Sequence, residues 1–103
     1  MNEARGPEAG SNEPMATRRT VRIVNRLGLH ARAAARFVQV ASSFDAEITV
    51  MRHDMTVSGL SILGLMMLAA GPGQEIVIET RGPARQAALE AMVALVERGF
   101  DET

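Results

Sequence analysis

The chain has 103 residues, enough for one small domain with a single hydrophobic core. It has no cysteine, which excludes disulfide bonds and thiolate metal sites, and with only three Phe and no Trp or Tyr the core must be largely aliphatic. The net charge of −1 and the absence of a long apolar run predict a cytoplasmic protein that neither binds nucleic acid nor inserts into a membrane.

Charge is divided unevenly along the chain. Residues 15–44 contain six arginines and no acidic residue, whereas residues 45–103 contain nine acidic residues and four arginines. A basic segment of this kind favours an anionic ligand or an acidic partner surface, although the solvated face of an ordinary domain gives the same pattern.

Both ends of the chain are expected to lie outside the folded domain. Residues 1–17 are polar and rich in Pro and Gly, which excludes a secretory signal and predicts a disordered tail. We therefore predict a domain over residues 18–100 and a short C-terminal tail over residues 101–103.

The first half of the domain is predicted to form a strand and a helix. Residues 20–23 alternate between apolar and polar side chains, as a strand does, and residues 25–28 break this pattern. Residues 31–43 are rich in Ala and have apolar side chains at helical spacing. His30 should therefore lie at or next to the N-cap of this helix.

A hairpin and a short helix are predicted to follow. Strands over residues 45–51 and 55–58 flank a turn that contains His53, which lacks the spacing of a metal site and is interpreted as a solvated turn residue. Ser61 is a good N-cap for a short helix that residues 71–73 end.

One more strand and one more helix complete the domain. The strand covers residues 75–80, and the helix starts after Gly82 with Pro83 in its first turn and ends at Gly99. The order β-α-β-β-α-β-α predicts an α+β fold in which the helices cover one face of an antiparallel sheet.

His30 and Arg32 form the first candidate site. A helix N-terminus attracts anions, an unprotonated imidazole can attack phosphorus, and an arginine can then hold the phosphate oxygens. A structural histidine and a metal ligand are the two other interpretations of His30. The chain has no Ser-His-Asp pattern, no Walker loop and no paired acidic residues near His30, so a carrier of a group is favoured over an enzyme.

Ser61 and the apolar residues after it form the second candidate site. A helix cap is enough to explain Ser61, but its phosphorylation would place about two negative charges beside an apolar surface. The segment 60–70 is more apolar than one buried face requires. Ile62, Leu63 and Met66 are therefore either a docking surface for a partner or fully buried.

Several segments resemble the signatures of one protein family. Residues 28–34, with the sequence Gly-Leu-His-Ala-Arg-Ala-Ala, and residues 38–46 look like the active-site segment of HPr, the histidine-containing phosphocarrier of the bacterial phosphotransferase system. Residues 56–66 resemble its second signature, around a regulatory serine, and residues 73–78 and the last helix also match. The similarity extends in register over residues 20–100.

The resemblance implies an open-faced β-sandwich of four antiparallel strands with three helices on one side, in a monomer without a metal or cofactor. It implies that His30 takes phosphate on Nδ1 from phosphorylated enzyme I and passes it to a IIA-type acceptor, with Arg32 contacting the phosphate. Ser61 would match the serine modified by HPr kinase/phosphorylase. Ile62, Leu63 and Met66 would match the apolar docking patch.

Two positions differ from the usual pattern of that family. Ala33 stands where the family usually has Pro, which removes a preset φ but leaves one more N–H group at the phosphate end of the helix. Leu60 stands where many relatives that undergo serine phosphorylation have Lys. This variation, with an Arg-only composition, resembles the carriers of nitrogen-type or regulatory phosphotransferase systems.

Two other functions are compatible with the fold. A regulatory binding module would act through Ser61 and the Ile62–Met66 patch without transferring phosphate, but such a module needs neither His30 nor Arg32. A small ligand-binding α+β domain is disfavoured because the chain has no plausible cofactor motif.

Overall fold

Regular structure follows the predicted order in the computed structural model, which describes residues 15–102. The elements are β1 (Ala16–Arg22), α1 (Ala31–Ala41), β2 (Glu47–Arg52), β3 (Met55–Ser58), α2 (Ile62–Met67), β4 (Glu75–Arg81) and α3 (Arg85–Glu97). A 3-10 turn, Gly99–Asp101, ends the described chain.

The four strands form one antiparallel sheet in the order β1-β4-β2-β3. Side chains alternate between the two faces, so that Val21, Ile76 and Ile78 belong to the core while their neighbours in sequence face away from it. Helix α1 adds Phe37 to this core and α3 adds Met92, both fully buried. This confirms the predicted α+β architecture with an open face.

An ion pair on the open face fastens the edge strand β1 to β4. Arg18 donates a hydrogen bond of 2.7 Å to Glu79, which lies directly opposite in the register. Glu79 is buried, and the hydrogen bond from Arg18 is the main reason that the pKa of Glu79 is lowered. Some of the basic segment is therefore neutralised within the fold.

The start of β1 differs from the prediction. The strand starts at Ala16, where Ala16 pairs with Arg81 and the hydroxyl of Thr17 hydrogen-bonds that of Thr80 at 2.7 Å. The predicted tail boundary after residue 17 is therefore wrong, because pairing with β4 makes the polar residues before 20 part of an edge strand. Residues 1–14 of that tail lie outside the described residues.

Helix ends also differ by a few residues. Helix α1 ends at Ala41 because Ser42 and Ser43 turn their hydroxyls onto main-chain carbonyls of its last turn. Helix α2 ends at Met67 rather than at residues 71–73, because Ala69 takes a left-handed conformation with φ of 53°.

Gly28 sets the close contact between the loop after β1 and the chain that follows α2. Its φ is +64°, and a Cβ atom there would lie 2.3 Å from the carbonyl oxygen of Ala70. The same oxygen accepts a hydrogen bond of 3.0 Å from the N–H of Leu29. Gly28 is therefore the residue that lets this loop deliver the chain to the start of α1.

Replacement of Gly28 by Ala should lower the free energy of unfolding by at least about 2 kcal/mol, because the left-handed φ and the clash with Ala70 act together. Chemical denaturation of both proteins measures this difference. Gly73→Ala is the matched control, since Gly73 has φ of +84° but open space around its Cβ position. It should cost only about 1 kcal/mol. Equal losses would contradict a role for the contact with Ala70.

Candidate functional site

His30 is the N-cap of α1, as predicted. Its backbone is extended, with φ of −74° and ψ of 177°, and its side chain makes no capping hydrogen bond. The first helical bond joins the N–H of Ala34 to the carbonyl of His30 at 2.9 Å. The N–H groups of Ala31, Arg32 and Ala33 come before that bond and have no carbonyl partner inside the helix, so this end of α1 can bind an anion.

Arg32 lies beside His30 on an open cleft. Its side chain is exposed and makes no ion pair within residues 15–102. Leu27, Arg36 and Glu102 also line this cleft. Arg36 differs from Arg32 because it is engaged by Asp101 at 3.2 Å. Arg32 is therefore the arginine of the cleft whose guanidinium is available to bind an incoming anion.

Glu102 contacts the imidazole directly. Its Oε2 lies 2.6 Å from Nε2 of His30, and both side chains are only about one-quarter exposed. Asn25 donates from Nδ2 to Oε1 of Glu102 at 3.0 Å. Burial acts to raise the pKa of Glu102, but the hydrogen bonds from Asn25 and His30 and the charge interactions with His30 and Arg32 together outweigh it, so the pKa lies below its ordinary value.

Asp101 and Glu102 are held in place by side-chain contacts, so the predicted tail over residues 101–103 is wrong for its first two residues. Phe100 is buried and, like Asp101, has a positive φ, which turns the chain back towards α1. Asp101 accepts hydrogen bonds from Arg98 at 2.6 Å and from Arg36 at 3.2 Å, and these lower its pKa. Thr103 lies outside the described residues.

Sequence reasoning missed Asn25, Arg36 and Glu102 as parts of this site. The sequence indicates a role for Glu102 only through Phe100, an apolar residue next to the predicted tail. Burial of this aromatic side chain keeps the residues after it close to the core. Asn25 belongs to a segment that predicts only a break after the first strand, and Arg36 lies in the predicted helix without a signal of a role at the site. Their roles depend on contacts between residues far apart in sequence.

Ser61 caps α2, as predicted. Its Oγ accepts a hydrogen bond of 2.9 Å from the N–H of Gly64. The hydroxyl is partly exposed at a helix N-terminus, the end at which added negative charge is best tolerated.

An apolar surface surrounds the cap of α2. The exposed fractions of Ile62, Leu63 and Met66 are 41%, 68% and 39%, whereas Leu65 on the opposite side of α2 is buried. The alternative of full burial is therefore wrong for all three. Leu60 and Met67 are also exposed and enlarge this patch.

His53 lies in the hairpin turn between β2 and β3, exposed and with φ of 57°. No group of three or more His, Asp or Glu side chains among residues 15–102 is arranged to hold a metal ion. In the same part of the chain, no helix has the length and apolar character needed to cross a membrane.

Comparisons with known proteins identify the family of the chain. A family model described as the PTS HPr component phosphorylation site matches residues 17–98. The phosphocarrier protein NPr of Shewanella violacea is 49% identical over 84 residues, which cover 82% of this chain and 92% of that protein. The phosphocarrier protein HPr of Cupriavidus necator is 44% identical over 84 residues, which cover 82% and 94%.

Solved structures show the same fold. The crystal structure of HPr from Thermoanaerobacter tengcongensis matches with a TM-score of 0.80 at 38% sequence identity, covering 84% of this chain and 98% of that chain. The family model spans the four strands, except Ala16 at the start of β1, and all three helices. The chain therefore belongs to the HPr family of phosphocarrier proteins of the phosphotransferase system.

Proposed function

We propose that this protein accepts a phosphoryl group on Nδ1 of His30 from phosphorylated enzyme I and passes it to a IIA-type acceptor in the cytoplasm. One observation carries the proposal. His30 caps α1 with its Nε2 bound to Glu102, so Nδ1 is the ring nitrogen left for a phosphoryl group next to unpaired main-chain N–H groups and Arg32.

The chemistry follows from the roles of these groups. The lone pair of Nδ1 attacks phosphorus, the bond between phosphorus and the donor's leaving atom breaks, and the electron pair stays on that atom. The N–H groups of Ala31, Arg32 and Ala33 and the guanidinium of Arg32 then neutralise charge on the phosphate oxygens. In transfer to the acceptor, an atom of the acceptor attacks phosphorus, the bond between phosphorus and Nδ1 breaks, and its electron pair returns to Nδ1. The groups that drive each transfer belong to the partners.

The apolar patch supports docking of such partners. Ile62, Leu63 and Met66 expose more apolar surface than an isolated monomer requires, and Arg32 supplies positive charge at the nearby cleft. A partner whose interface has an apolar centre and acidic residues around it would fit both the apolar patch and the positive charge of Arg32. Relatives named NPr and HPr have comparable identities, 49% and 44%, so identity does not choose between a nitrogen-type branch and a sugar-uptake branch.

A regulatory binding module remains the second candidate, favoured by the exposed patch beside the Ser61 cap. It would bind partners through that patch, with HPr kinase/phosphorylase modifying Ser61, and would need no phosphate on His30. Labelling of His30 therefore separates the two functions.

Incubation with phosphoenolpyruvate and enzyme I should add one acid-labile phosphate, and His30→Ala should abolish it, because the nucleophile is removed. Intact-mass measurement before and after mild acid treatment gives the result. His53→Ala is the matched control, since that histidine lies in an exposed turn and does not line the cleft, and it should be labelled normally. Phosphate that is still added to His30→Ala would contradict His30 as the phosphorylated residue.

Arg32→Ala should slow phosphorylation about tenfold or more, since one charge-assisted hydrogen bond to the phosphate is lost. The melting temperature should hardly change because the side chain is exposed. Rapid-quench kinetics and thermal unfolding provide the two measurements. Arg19→Ala removes an exposed arginine of β1 outside the cleft and should leave the rate unchanged. A large fall in melting temperature for Arg32→Ala would indicate a structural role instead.

Leu63→Ser should raise the KM for this protein as a substrate of enzyme I about fivefold or more, with little change in kcat, because an apolar contact of the docking surface is lost. Steady-state transfer assays measure both constants. Val24→Ser is the control, since Val24 is comparably exposed, at 55%, and lies outside α2. Equal effects of the two substitutions would argue against a docking surface on α2.

A further inference from the structure

The hydrogen bond between His30 and Glu102 has a defined donor. An ionised carboxylate can only accept, so Nε2 of His30 carries the hydrogen in this 2.6 Å contact. A neutral imidazole has a single N–H, which leaves the lone pair on Nδ1. The lowered pKa of Glu102 supports an ionised carboxylate at neutral pH.

We propose that Glu102 is a positioning residue that selects the Nε2–H tautomer of His30 and thereby makes Nδ1 the phosphate acceptor. The consequence for phosphoryl transfer rests on the proposed function, whereas the tautomer itself can be measured without any partner. The short contact and the partial burial of both side chains carry this proposal.

Asn25 fixes the orientation of the carboxylate. Its Nδ2 donates to the carbonyl of Gly28 at 2.9 Å and to Oε1 of Glu102 at 3.0 Å. A flipped amide would place Oδ1 against these two acceptors, so the nitrogen must face them. Because Oε1 is taken by this buried amide, Oε2 is the oxygen that meets His30.

The end of the chain holds Glu102 within reach of His30. Phe100 is buried in the core, and Asp101 is tied to Arg36 of α1 and to Arg98 at the end of α3. These contacts are made by the two residues just before Glu102. The carboxylate therefore has a fixed position, as a side chain that orients another must have.

Glu102 also acts during the transfer step. When Nδ1 forms its bond to phosphorus, the ring keeps the proton on Nε2 and gains positive charge. The carboxylate 2.6 Å away stabilises that charge. When the phosphoryl group leaves, the electron pair of the N–P bond returns to Nδ1 and the ring becomes neutral, with its proton still on Nε2.

Glu102→Gln tests this proposal sharply. Asn25 still requires an acceptor, so the carboxamide oxygen should take the place of Oε1 and the carboxamide nitrogen should face Nε2 of His30. That nitrogen can only donate, so the proton should move to Nδ1. Two-dimensional NMR of ¹⁵N-labelled ring nitrogens, at a pH where the ring is neutral, reports which nitrogen is protonated. Nε2–H is expected in the wild type and Nδ1–H in the variant.

Phosphorylation by enzyme I should slow about tenfold in the same variant, because the acceptor nitrogen is protonated and the charged partner is lost. Glu97→Gln is the matched control, an exposed glutamate on α3, and should change neither measurement. Thermal unfolding of both variants checks that the fold is intact.

Each outcome decides the proposal. Identical ring tautomers in the wild type and in Glu102→Gln would overturn it, and so would a changed tautomer with an unchanged rate. A changed tautomer with slower phosphorylation supports it. If the wild type takes no phosphate at all, the proposed function fails, while the NMR result still decides whether Glu102 selects the tautomer.

Discussion

The close approach of Gly28 to the carbonyl of Ala70 determines where α1 begins, and the site depends on that beginning. With no side chain at position 28, the loop after β1 contacts the segment after α2 and Leu29 donates its N–H to Ala70. The next residue, His30, then becomes the N-cap, and the first main-chain N–H groups of α1 stay without partners. One backbone contact thus places the imidazole of His30, the proposed nucleophile, at the end of a helix that attracts anions.

The surroundings of His30 suit a phosphoryl group that is first accepted from one protein and then transferred to another. Main-chain N–H groups and an exposed arginine attract a phosphate without enclosing it, so a donor and an acceptor can reach the same atom in turn. Glu102, by contrast, is held by Asn25 and by the anchored end of the chain. The site therefore combines an open side, where phosphate is proposed to bind, with a side on which Glu102 contacts the imidazole.

Local patterns in the sequence predicted the order of elements and the cap positions of His30 and Ser61, because helix and strand periodicity and capping depend on near neighbours. They left open whether Ile62, Leu63 and Met66 are buried or exposed, since that depends on how α2 packs. They could not predict the contact of Glu102 with His30, which joins residues 72 positions apart. The start of β1 was missed for a related reason. Its first residues are polar, and only pairing with β4 makes them part of a strand.

The central claim is that phosphate is held on Nδ1 of His30 at the N-terminus of α1. The most direct measurement is the scalar coupling between ³¹P and the ring nitrogens in ¹⁵N-histidine-labelled protein phosphorylated by phosphoenolpyruvate and enzyme I. A one-bond coupling to Nδ1 of His30 is expected, with a hydrogen still on Nε2. A one-bond coupling to Nε2, or phosphate on another residue, would contradict it.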